Sequence, residues 1–76
     1  MDDSNFDHIL VFKTNINTKD DVKKVGATLG SQREIVQWNV DLYDVDRVLR
    51  IVSYDIKHQQ IIDLLQGMGY ACSELK

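Results

Sequence analysis

The chain has 76 residues, of which 43% are hydrophobic and 28% charged, so it is long enough for one ordinary globular domain and too short for two. Its net charge of −3 argues against nucleic acid and anionic membrane partners, because both usually need a basic face. The single cysteine excludes an internal disulfide framework and favours a reducing compartment, so we expect a cytoplasmic protein.

The seven N-terminal residues are polar and acidic, and we expect them to be frayed ahead of a folded domain at residues 8–76. They lack the basic and apolar regions of a secretory signal. No apolar run in the chain approaches the roughly 20 residues of a membrane span. We therefore predict a single domain over residues 1–76 with no membrane partner.

The first strand is predicted at residues 8–13, where four apolar residues stand in a row. Leu10 and Phe12 would face one side of the sheet, and Ile9 and Val11 the other. Apolar residues on both faces are typical of a central strand.

The first helix is predicted to begin at Thr18 and to end at Gly30. The stretch Thr18-Lys19-Asp20-Asp21 fits a helix start, with acidic residues where the helix dipole favours them. Small Gly26 would let the helix lie close to a sheet, and Gly30 is expected in a left-handed conformation. The apolar stripe of this helix consists of Val22, Val25, Gly26 and Leu29.

The strongest strand pattern covers residues 34–42, where apolar and polar residues alternate. Its buried face would consist of Val36, Trp38, Val40 and Leu42. Residues 43–47 are predicted to form a hairpin turn into a third strand at residues 48–53. In that strand Arg50 would point outward.

The second helix is predicted to run from near Asp55 or Lys57 to Met68, and Gly69 is a natural glycine beyond a helix C-terminus. Its apolar stripe would consist of Ile61, Leu64, Leu65 and Met68, with Ile62 on the margin. A short final strand at residues 70–75 is expected at an edge of the sheet.

This order of elements is β-α-β-β-α-β, the split ferredoxin-like arrangement. We predict an α+β sandwich in which two helices cover one face of a four-stranded antiparallel sheet and leave the other face open. The residues projecting from the open face would be Ile9, Val11, Gln37, Asn39, Arg50 and Val52. A mixed aliphatic and polar face is a common place for self-association or partner docking, and Tyr43 and Val45 would extend it. The alternative is an ordinary solvated face.

Three stretches have the order and spacing of a known family. They are Val22-x-x-Val25 with Leu29, then Trp38-Asn39-Val40-Asp41-Leu42, and then Ile61-x-x-x-Leu65 followed by Gly69-Tyr70. Over roughly residues 9–75 the chain resembles the heavy-metal-associated domains of copper chaperones and metal-transporting ATPases. The resemblance implies the ferredoxin-like fold.

The family's metal loop differs in this chain. The family binds soft metals through Met-Thr-Cys-x-x-Cys at the start of its first helix, and the resemblance places that loop on residues 16–21. Ile16 would replace the methionine, and Thr18 and Asp21 would replace the cysteines. Thiolates select Cu(I) and bind zinc strongly, whereas a hydroxyl and one carboxylate do not. We therefore expect no metal site and no cofactor. The chain departs from the family in a second place, because the loop between its second and third strands is about two residues longer than the family's.

Other polar residues have simpler interpretations than metal binding. Thr18, Asp20 and Asp21 fit helix capping, because calcium needs six to eight oxygens. Cys72 fits a small, partly buried apolar residue, because no second cysteine or nearby histidine accompanies it. His8 and His58 fit surface histidines, and the sequence leaves open whether they share one end of the fold.

Catalysis has little support, because no nucleophile–base grouping, pair of carboxylates or phosphate-binding glycine loop is present. The sequence predicts a non-catalytic module that works through an unknown protein partner or as a homodimer. The alternative is a metal-handling protein with an unorthodox site built from His8, His58, Cys72 or Asp21. A small-ligand sensor is a third hypothesis, which rests on fold analogy alone.

Overall fold

The computed structural model describes residues 8–75 and confirms the predicted α+β order. The elements are β1 (Ile9–Thr14), α1 (Lys19–Gly30), β2 (Ile35–Asp41), β3 (Val48–Ser53), α2 (His58–Gly67) and β4 (Cys72–Glu74). Within the described range, neither helix is long and apolar enough to cross a membrane. The predicted fraying of residues 1–7 concerns a segment outside the described residues.

The four strands form one antiparallel sheet in the order β2-β3-β1-β4. The central position of β1 explains its apolar residues on both faces, as predicted, and β4 lies at an edge, also as predicted. Buried side chains of both helices join one core cluster with the inward residues of β1 and β3. The cluster contains Leu10, Phe12, Ile16, Val25, Leu29, Leu49, Ile51, Ile56, Ile61, Leu65 and Cys72.

Gly26 sets the distance between α1 and the sheet. A Cβ atom at this position would lie 2.7 Å from Cζ2 and 2.9 Å from Cη2 of Trp38. Real Cβ atoms do not approach other atoms so closely, so the indole ring occupies the space that a side chain would need. The predicted close approach of α1 to the sheet is confirmed at this contact.

The two helices end differently. Gly69 has φ +94°, and the N–H groups of Gly69 and Tyr70 donate to the carbonyls of Gln66 and Leu65, which forms a Schellman motif. The prediction that Gly30 adopts a left-handed conformation is wrong. The C-cap residue of α1 is Ser31, which has the right-handed angles φ −82° and ψ −7°.

The predicted burial of Val36 is also wrong, because a β-bulge interrupts β2. Ile35 pairs with Ser53 and Gln37 pairs with Val52, so the bulge between them shifts the alternation of side chains. Ile35 therefore packs against the core, and the side chain of Val36 is 61% exposed. Beyond the bulge, the predicted alternation holds for Trp38 and Val40, which pack against the core.

Candidate functional site

The loop between β1 and α1 is built as a helix cap. Ile16 is fully buried and anchors the loop in the core. Thr18 is the N-cap residue, with φ −127° and ψ 166°, and its Oγ1 accepts a 3.1 Å hydrogen bond from the N–H of Asp21. The carboxylate of Asp21 accepts in return from the N–H of Thr18 at 3.1 Å. This reciprocal capping box involves the two residues that stand where the resemblance would place cysteines.

Asp21 has partners on both carboxylate oxygens. Oδ2 accepts from the N–H groups of Asn17 and Thr18, and Oδ1 accepts a 2.8 Å hydrogen bond from the hydroxyl of Tyr70. The Tyr70 bond is the largest cause that lowers the pKa of Asp21, followed by the backbone donor of Asn17. The same bond raises the pKa of Tyr70. Each group thus favours the protonation state that preserves the contact at neutral pH.

Arg47 ties the loop to the β2–β3 hairpin. It has φ +47°, which is uncommon for a residue with a side chain. Its guanidinium donates to Oδ1 of Asn17 at 2.7 Å and to the Asn17 carbonyl at 3.3 Å. Its own carbonyl accepts a 2.6 Å bond from Oγ1 of Thr14. The left-handed turn and the long side chain together place a positive charge against the oxygens of the loop.

A further bond holds the loop from the side of β4, where Oδ1 of Asn15 accepts from the N–H of Ala71 at 2.9 Å. Sequence reasoning missed the roles of Asn15, Arg47 and Tyr70. The sequence places Gly69-Tyr70 between the second helix and the last strand, as part of the resemblance, and Arg47 in a turn, without a role for either side chain in the loop. These hydrogen bonds join residues that are 30, 49 and 56 positions apart, and contacts over such distances leave no periodic signal in a sequence.

The residues of the predicted alternative metal site are not brought together. Cys72 pairs with Thr14 at the end of β1, whereas His8 precedes the start of β1. At about 3.3 Å per residue of an extended strand, His8 lies about 20 Å from Thr14. Within residues 8–75, no group of three His, Cys, Asp or Glu side chains could hold a metal ion. The Cys72 side chain is only 6% exposed, and this burial raises the pKa of its thiol to about 11. Both properties fit the predicted role of Cys72 as a small apolar residue.

The histidines, whose relative placement the sequence leaves open, have different surroundings: His8 precedes β1, and His58 is the first residue of α2. The ring of His8 lies 4.0 Å from that of Tyr54, centroid to centroid. The ring of His58 lies 5.3 Å from that of Phe12, and its Nε2 is 3.6 Å from the carboxylate of Glu74. Each histidine therefore has its own aromatic neighbour.

The residues predicted for the open face do project from one side of the sheet, because paired residues of an antiparallel sheet share a face. Across three strands they form the rows Ile9–Val52–Gln37 and Val11–Arg50–Asn39. Ile9 is 37% exposed on this face. The predicted extensions Tyr43 and Val45, in the neighbouring hairpin, are 99% and 93% exposed.

Two solved structures are similar to the chain over nearly its whole length. The N-terminal domain of ZntA in its Zn(II) form matches with a TM-score of 0.76 and 16% identity, over 90% of this chain and 92% of that one. The yeast copper transporter domain Ccc2a, solved in apo and Cu(I)-loaded states, matches with a TM-score of 0.78 and 10% identity, over 91% and 96%. The fold is that of the heavy-metal-associated domains. No protein-family model and no curated protein sequence gives a significant match.

Proposed function

We propose that the protein is a non-catalytic interaction module on the heavy-metal-associated fold that works without a metal. One observation carries this proposal: the carboxylate of Asp21 accepts three hydrogen bonds from within the chain, at the position where the resemblance places a metal-binding cysteine. Three of the roughly four acceptor positions of this carboxylate are already used, so a metal would have to compete with the cap of α1 and with Tyr70 for it.

The chemistry of the loop supports the same conclusion. Its side-chain groups near Thr18 are hydroxyl, amide and carboxylate oxygens, and soft ions such as Cu(I) prefer thiolates. The guanidinium of Arg47 adds a fixed positive charge beside Asn17, which repels a second cation. The loop is thus held in place by hydrogen bonds and by the buried side chain of Ile16.

Function through contacts is supported by the open sheet face, where aliphatic groups remain partly accessible around a central arginine. Ile9 is the most exposed of its aliphatic residues, and Val11 and Val52 are half-buried. We propose that a protein partner covers this face in a reducing, cytoplasmic setting, with no part for nucleic acid or membrane.

Native mass spectrometry of the reduced protein with Cu(I) and with Zn(II) tests the loss of metal binding. The wild-type chain is expected to stay metal-free. The double variant Thr18→Cys/Asp21→Cys is the matched control, because it restores two thiolates at the family positions and is expected to bind one Cu(I) per chain. Stoichiometric Cu(I) or Zn(II) on the wild-type chain would overturn the proposal.

The second candidate is metal handling at an unorthodox site, which is favoured by the Zn(II) and Cu(I) forms named for the two structural neighbours. This candidate requires that Cys72→Ser and His58→Ala abolish metal binding by the wild-type chain. Metal binding that persists in both variants, or that never occurs, excludes it.

A further inference from the structure

We propose that the partner of the open sheet face is a second copy of this chain, held by reciprocal ion pairs between Arg50 and Asp41. This inference rests on the proposed interaction role of the face and adds the identity of the partner. Its basis is the arrangement of charges: Arg50 lies in the middle row, and Asp41 pairs with Val48 in the next row of the same face.

A partner that covers Arg50 must neutralise it, because a buried charge without a counter-charge is costly. Ion pairs among the described residues join Lys13 to Asp46 and His58 to Glu74, so Arg50 and Asp41 belong to none within residues 8–75. Asp41 uses Oδ1 to accept from the N–H of Tyr43 at 3.0 Å, which fixes the carboxylate at the edge of the face. Among residues 8–75 neither charge therefore has an ion-pair partner, and Arg50 is exposed whereas Asp41 is half-buried.

The relative position of the two charges suits a two-fold axis. Arg50 pairs with Asn39, and Asp41 lies two positions beyond Asn39 on the same strand. The Cα atoms of Arg50 and Asp41 are therefore diagonal neighbours about 7–8 Å apart. An axis in the interface, midway between them and perpendicular to the line that joins them, places each Arg50 opposite the other chain's Asp41. A single rotation therefore satisfies both ion pairs, as an isologous interface requires. The strands of the two sheets would cross at about 70°, close to orthogonal sheet packing.

The edges of the sheet are less suited to self-association than the face. The bulge at Ile35–Gln37 distorts the outer edge of β2, and β4 offers only three residues, Cys72–Glu74. Bulges, short strands and charged residues are the features that discourage edge pairing. The face, by contrast, carries apolar groups beside its charges.

The size of the face predicts a weak dimer. The four strands have 6, 7, 6 and 3 residues. With about 4.8 Å between strands and about 3.3 Å per residue, they cover roughly 350 Å² in projection. A standard stable interface buries about 800 Å² on each partner. We therefore expect a concentration-dependent equilibrium between monomer and dimer that weakens as salt is added.

Sedimentation velocity over a concentration series tests this inference with two charge reversals. Arg50→Glu alone and Asp41→Lys alone should each abolish self-association, since each places like charges at both ion pairs. An equimolar mixture of the two variants should restore a dimer, because one chain then supplies two acids and the other two bases. Restoration in the mixture also excludes misfolding as the reason why either variant is monomeric.

Arg33→Glu is the matched control, because it makes the same charge change at an exposed residue between α1 and β2 and should leave the equilibrium unchanged. A wild-type chain that stays monomeric at every concentration, or a dimer insensitive to Arg50→Glu, would overturn the inference. A metal-free monomer would leave the loss of metal binding standing, whereas stoichiometric metal on the chain would overturn the proposed function itself.

Discussion

The hydroxyl of Tyr70 donates a 2.8 Å hydrogen bond to Oδ1 of Asp21, across 49 positions of sequence. The bond joins the end of α2 to the first turn of α1, because Tyr70 is the last residue of the Schellman motif and Asp21 the third residue of α1. The carboxylate of Asp21 therefore has two structural roles. It caps α1, and it holds the connection between α2 and β4 through Tyr70. The β1–α1 loop is thus closed by a polar cross-link.

Tyr70→Phe should raise the pKa of Asp21 toward its ordinary value of 3.8, because the hydrogen bond that contributes most to lowering it is removed. The backbone donors of Asn17 and Thr18 remain, so a smaller depression should persist. Carboxyl NMR titration of the two proteins measures the difference. Tyr43→Phe is the control, since this tyrosine is 99% exposed. An unchanged Asp21 pKa in Tyr70→Phe would contradict the assignment of the bond.

The dependence of stability on pH should also reflect this pair. The folded-state pKa of Asp21 is lowered, so its stabilising contribution is present above the unfolded value of 3.8 and is lost as pH falls below it. The folded-state pKa of Tyr70 is raised, so its contribution is present below 10.0 and is lost as pH rises through the raised value. Thermal unfolding across pH should show a loss at each end. Asp21→Asn should make the acid loss shallower, and an identical acid limb would refute this.

Thr18→Ala should destabilise the protein by about 1 kcal/mol, the usual effect of removing an N-cap hydroxyl. The N–H of Asp21 then loses its 3.1 Å acceptor. Urea unfolding measures the change. The matched control is Thr28→Ala, which makes the same substitution inside α1 and removes no cap, so helix propensity should leave its stability equal or slightly higher. Equal losses in both variants would argue against the cap.

Gly26→Ala should destabilise the protein although alanine is the better helix former. The gain in helix propensity of about 1 kcal/mol is opposed by about 1–3 kcal/mol of overpacking against Trp38, whose Cζ2 would lie 2.7 Å from the new Cβ. Gly30→Ala is the control, because no atom lies within 4 Å of its Cβ position. That variant should stabilise by about 0.4–1 kcal/mol. Urea unfolding followed by tryptophan fluorescence reports both effects, and a stabilised Gly26→Ala protein would refute the contact.

Cys72 should react slowly with thiol reagents in the folded protein. Its side chain is 6% exposed and its pKa is about 11, so at neutral pH its thiolate fraction is lower than that of a free cysteine on the order of a hundredfold. Labelling with a disulfide reagent, with and without urea, measures the protection. A rate in the folded protein equal to that in urea would show that the thiol is accessible and would revive its candidacy as a ligand.

Much of the fold follows from local pattern. The position of β3 was predicted to the residue, and Gly69 adopts the left-handed conformation that its place after a helix indicated. The same reasoning failed at Val36 and Gly30. A bulge changes which residue faces the core without changing composition, and a helix can end through Ser31 in a right-handed conformation as well as through glycine.

The sequence by itself determined the order of the elements, the apolar stripes of both helices and the oxygen chemistry of the β1–α1 loop, because each depends on residues within one or two turns of each other. Only the tertiary structure decided that Arg47 and Tyr70 converge on that loop, and only the register between β2 and β3 made Arg50 and Asp41 diagonal neighbours. The physical reason is that these contacts depend on register and chain reversal. At the β1–α1 loop, residues distant in sequence are joined by single hydrogen bonds, and such bonds produce no periodic pattern in the sequence.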